Sequence, residues 1–156
     1  MLREGLDEDA LEALAEGVAR ALEPGDVVVL SGEVGAGKTT FVRAAARSLG
    51  VEGRVTSPTY QIARGYTGTA GGRTVAVNHL DLYRVEGLGV RDVLEIDDYL
   101  DPDAITFVEW AEPALEAIES VRRPNLVSLS HRTPRTRDVR IEGPVVDRQA
   151  LTDRGQ

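Results

Sequence analysis

Early in the chain, apolar residues fall at Leu11, Leu14, Ala15, Val18, Ala21 and Leu22, the spacing of a helix that buries one stripe. Leu6-Asp7-Glu8-Asp9-Ala10-Leu11 predicts its start, with Asp7 as the N-cap and Leu6 and Leu11 as a hydrophobic staple across it. Acidic residues in the first turn also suit the helix dipole, and Pro24-Gly25 ends the element. The period then changes. Val27-Val28-Val29-Leu30 is the short β-branched run of a buried strand, and the helical spacing returns from Thr39 to Leu49, stopping at Gly50. Residues 60–66 and 74–80 are strand-like around the glycine-rich stretch Gly68-Thr69-Ala70-Gly71-Gly72, which predicts an antiparallel hairpin. Residues 90–100 predict a short acidic helix ending before Pro102. Ala104-Ile105-Thr106-Phe107-Val108 reads as a buried strand, and Pro113 opens a helix running to about Ser120. Residues 126–130 and 137–141 form a closing pair of strands.

These elements predict one α/β domain over residues 1–146 with a mixed sheet, followed by a polar, frayed tail at 147–156. At 156 residues such a domain buries a core without disulfides or structural metal. Cysteine is absent, which excludes a disulfide framework or a thiolate metal site. There is no run of 18 apolar residues and no apolar leader after Met1, so the expectation is a soluble, cytoplasmic protein without a membrane partner. Lys and Arg total 18 against 26 Asp and Glu, a net charge of −8. That balance argues against nucleic acid as the main direct ligand, since a phosphate backbone needs a basic footprint. Residues 131–140 concentrate Arg132, Arg135, Arg137 and Arg140; a solvated hairpin turn is the simpler reading than a ligand surface.

The chemistry is concentrated in Gly32-Glu33-Val34-Gly35-Ala36-Gly37-Lys38-Thr39, a complete G-x-x-x-x-G-K-T phosphate loop. It lies between a predicted strand and a predicted helix, the setting in which the pattern has physical meaning. Glycines let backbone N–H groups turn inward around phosphate oxygens, and the helix adds its positive end. Lys38 would reach the β- and γ-phosphates, and the Thr39 hydroxyl would hold Mg²⁺. Hydrolysis further needs a carboxylate. Asp81 and Glu109 both follow predicted strands, at the strand ends where open α/β sheets place ligands. Residues 56–60, Thr-Ser-Pro-Thr-Tyr, occupy the place of a γ-phosphate-sensing switch or, more simply, a turn into the next strand. Trp110 reads as core, or as a stacking surface. His79 reads most simply as a strand-end residue bonded to a neighbour.

Together, Ser31 to Phe41, Thr56-Ser57-Pro58-Thr59-Tyr60, His79-Leu80-Asp81-Leu82-Tyr83-Arg84 and Val108-Glu109-Trp110 resemble the TsaE family (older name YjeE). This is the small bacterial ATPase family of tRNA threonylcarbamoyladenosine synthesis. The likeness spans residues 31–110. It implies a P-loop NTPase-like three-layer fold with a mixed, mostly parallel sheet and an antiparallel hairpin. It also implies ATP and Mg²⁺ as cofactors, and weak hydrolysis that supports a complex of two sugar-kinase-like proteins (TsaB and TsaD type) acting on adenosine 37 of tRNA. By that likeness Thr39, Asp81 and Glu109 hold the metal, and Thr59 is the switch threonine. Glu33, Val34, Gly35, Ala36, Gly37, Lys38, Thr39 and Thr40 wrap the phosphates, with Trp110 beside them. Asp7, Glu112 and Arg137 are the matching positions for further nucleotide contacts. Leu11 departs from the family, falling where a polar residue is common, and nothing carries over from residues 86–103. A small-molecule kinase using the same loop, or a nucleotide switch without turnover, are the alternative functions.

Overall fold

The β-branched run at Val27–Ser31 (β2) lies at the middle of a seven-stranded sheet. Its burial explains its composition: every residue but Ser31 is shut off on both faces, as parallel strands covered by helices require. The computed structural model describes residues 1–53, 55, 63–83 and 96–148. In chain order the remaining elements are β1 (Leu2–Leu6), α1 (Glu8–Ala21), α2 (Lys38–Ser48), β3 (Ala63–Ala70), β4 (Arg73–Asp81), β5 (Ala104–Glu109), α3 (Leu115–Val121), β6 (Asn125–Thr133) and β7 (Thr136–Glu142). Single 3-10 turns lie at Ile96–Tyr99 and Glu112–Ala114.

The strand order is β1-β7-β6-β2-β5-β4-β3. The four central strands β6, β2, β5 and β4 run parallel, and antiparallel pairings join β3 at one edge and β7 and β1 at the other. One face packs under α1 and α2, where Leu11, Val18, Phe41 and Ala45 meet Val28, Leu30, Phe107 and Val127. On the opposite face Val27, Val29, Leu80 and Val108 pack against Ala114 and Ile118 around α3. Alternate residues of one strand thus feed two cores, giving the expected three layers.

Most elements follow the sequence pattern. Asp7 caps α1, its carboxylate accepting from the Ala10 N–H at 2.8 Å, and the hairpin turns at Gly71-Gly72. Three features differ. Strand β1 was not anticipated, because Leu2-Arg3-Glu4-Gly5-Leu6 is mostly exposed and owes its form to pairing with β7. Of the acidic helix expected over residues 90–100, the described part is the 3-10 turn at Ile96–Tyr99. At the other end, residues 144–148 form a helical turn that runs two residues past the expected boundary. Arg148 holds it, with both outer guanidinium nitrogens 2.8 Å from the Asp26 carboxylate. Among the described residues no helix is long and apolar enough to cross a membrane.

Candidate functional site

The loop between β2 and α2 has a helix amino terminus with nothing of its own to satisfy it. Helix α1 begins with an aspartate cap and two acidic residues in its first turn; α2 begins at Gly37, with no side-chain cap and no acidic residue there. The first N–H groups of a helix lack internal partners, so this terminus suits an external anion. Gly37 adopts a left-handed φ of 106°. A Cβ there would lie 2.8 Å from a Leu11 methyl and 3.0 Å from an Arg137 guanidinium nitrogen, so glycine lets the loop tuck between α1 and β7. Around Gly35 (φ 82°) there is open space instead, and Glu33, Val34 and Gly35 are exposed at the loop's rim.

Lys38 is buried at the base of this loop. Its ammonium donates to the Gly32 carbonyl and, at 3.4 Å, to the Glu33 carbonyl. The same group lies 4.2 Å from the centroid of the Trp110 ring, within cation–π range. Burial lowers the Lys38 pKa from its ordinary value, against the opposing pull of Glu109, Asp81 and Glu112. Three carboxylates therefore act on the charge of the loop lysine.

Asp81 and Glu109 close parallel neighbours β4 and β5 as register partners, so both end at one level of the sheet. Their surroundings differ. Asp81 is partly exposed and accepts from the Tyr83 N–H at 3.1 Å; burial, with some help from Glu109, raises its pKa. Glu109 is buried, and its Oε2 lies 2.5 Å from Nε2 of the equally buried His79. Trp110 follows with φ 55°, the one non-glycine residue in the left-handed region among those described. That conformation is costly for a bulky side chain. It turns the ring over Lys38 and against Tyr83, at 4.9 Å between centroids.

The sequence model of the family described as "Threonylcarbamoyl adenosine biosynthesis protein TsaE" matches residues 6–139. The chain belongs to the TsaE family. A Streptomyces coelicolor protein named tRNA threonylcarbamoyladenosine biosynthesis protein TsaE is 40% identical over 113 residues, 72% of this chain and 74% of that one. A Mycobacterium tuberculosis protein of the same name is 40% identical over 116 residues, covering 71% and 68%. The crystal structure of Bacillus subtilis YdiB superposes with a TM-score of 0.70 at 24% identity, covering 99% of this chain and 92% of that one; this is a likeness of fold.

Of the positions the TsaE likeness singled out, the fold brings the phosphate loop, Lys38, Asp81, Glu109 and Trp110 together. Arg137 reaches the loop from β7; its Nε is buried and has no partner among the described residues. Asp7 is engaged as the α1 cap. Glu112 is exposed, close enough in charge to act on Lys38. Thr59, with the whole of residues 56–60, lies outside the described residues. The arginine-rich stretch is the β6–β7 hairpin; Arg132 pairs with Asp138 and Glu4 on its solvated side, while Arg137 turns to the phosphate loop. His79 is bonded to a neighbour, as the sequence suggests, but the identity of that neighbour, Glu109, is not legible there. His79 stands opposite Phe107 and Glu109 opposite Asp81, so only the strand register brings them side by side.

Proposed function

We propose that this chain binds ATP with Mg²⁺ and hydrolyses it, and that it serves the threonylcarbamoylation of adenosine 37 in cytoplasmic tRNA. The observation that carries the nucleotide reading is the uncapped amino end of α2 with the Lys38 ammonium at its base. Phosphate oxygens would take the loop N–H groups, and Lys38 would exchange two carbonyls for them.

The donor set fits magnesium. Among the described residues no group of three or more His, Cys, Asp or Glu side chains forms a metal cage. A hydroxyl at Thr39 and two neighbouring carboxylates are instead the sparse, all-oxygen set that Mg²⁺ uses when phosphates complete its shell. Asp81 and Glu109 supply the charge that draws the cation, and the ion, when bound, offsets charge developing on the phosphates. Trp110 lies over the Lys38 ammonium, with Tyr83 against its ring. The family likeness supports Thr59 as the hydroxyl that senses the γ-phosphate.

The net charge of −8 favours contact with tRNA through partners, the two sugar-kinase-like proteins that the TsaE likeness implies. The test combines this chain, those partners and tRNA. Modified adenosine should accumulate over many turnovers with the native chain and stall with Glu109→Ala, which should bind ATP yet release little phosphate. Phosphate release that stays at background with the partners present would overturn the hydrolytic reading. Robust transfer to a small acceptor would favour a kinase.

A further inference from the structure

Resting on the metal-site reading above, we propose that His79 is its positioning residue, holding Glu109 in the orientation from which Mg²⁺ is bound. Three observations carry this. First, His79 and Glu109 are both buried, at 1% and 3% exposure, and their bond of 2.5 Å is drawn along the sheet from one strand to the next. A carboxylate in such a place is not oriented by solvent, so its geometry is set by the group that donates to it.

Second, the other nitrogen of His79, Nδ1, is buried without a partner among the described residues. An unpaired buried polar atom is costly, and a leucine would fill the same volume without it. The position is therefore chosen for what Nε2 does. With its proton on Nε2 the ring donates to Glu109, and the cost of the unpartnered Nδ1 is offset by that one bond. Third, Asp81 and Glu109 are register partners, two like charges that repel when no cation lies between them. Tying Glu109 back to His79 keeps them aligned before the cation arrives.

The experiment uses the full chain and follows the Trp110 fluorescence change with Mg²⁺ at saturating ATP. Asparagine and glutamine separate the roles, because the glutamine amide reaches the place of Nε2 and the asparagine amide that of Nδ1. His79→Asn should raise the Mg²⁺ needed for half the change by about 10-fold or more, with ATP binding in EDTA retained. His79→Gln should stay within about threefold of the native protein. In a Glu109→Gln background, His79→Asn should add nothing, since one residue acts through the other.

Equal losses in the two single variants, or losses that add in the double variant, would overturn the proposal. A measurement on the native chain needs no change at His79: nitrogen NMR of labelled histidine should find the proton on Nε2. A proton on Nδ1 would overturn the inference even if neither variant folded. A native chain that binds ATP without any response to Mg²⁺ overturns both this inference and the metal reading. One that binds no ATP overturns the nucleotide reading itself.

Discussion

Lys38 is the residue at which the site is most poised. Its ammonium sits buried between two carbonyls and the Trp110 ring, and burial makes the charged form harder to hold than in the unfolded chain. The sign follows directly. A lysine whose folded pKa is depressed costs stability while both states are charged, and the cost is relieved as pH rises from the folded pKa towards the unfolded one. Lys38→Met should therefore abolish the Trp110 fluorescence response to Mg²⁺ and ATP while raising the melting temperature of the nucleotide-free protein. A variant that melts lower would show that the carbonyls and the ring repay the burial in full. Lys38 and Thr39 were legible because the loop is a local motif, each residue defined by its neighbours. The left-handed Trp110 was not, because nothing in Val108-Glu109-Trp110 forces φ positive; the turn out of β5 does.

Helices α1 and α2 pack side by side on one face of the sheet and begin in opposite ways. The first closes its own N–H groups with Asp7; the second leaves them for a ligand. Asp7→Ala should lower stability to urea by about 1 kcal/mol, the ordinary value of such a cap. An unchanged midpoint would mean that solvent replaces the cap without loss. Both helices and the central strands could be read ahead of the structure, since their periods differ and Pro24-Gly25 and Gly50 punctuate them. Strand β1 could not be. Five residues with two apolar positions carry no period, and Gly5, at φ 66°, breaks the register with β7 while its N–H donates to Asp138. That strand exists only through a partner far along the chain.

Across the molecule the layers are tied at the end of the sheet away from the phosphate loop. Asn125 is fully buried, its amide donating to the Val27 carbonyl at 3.2 Å and its oxygen accepting from the Val145 N–H at 2.8 Å. One side chain thereby joins β6, the start of β2 and the helical turn at 144–148. Asn125→Leu leaves both backbone groups without their partner and should cost about 3 kcal/mol, read as a lower denaturation midpoint; a loss below about 1 kcal/mol would mean water takes its place. The order of the elements was legible from the sequence, but this join was not, because it links residues that only the fold makes neighbours. The pairing of Leu2 with Arg140 has a consequence for synthesis on the ribosome. The segment that becomes β1 emerges long before β7, so this edge of the sheet closes only when translation has passed residue 140. Until then the nascent segment waits without its mate.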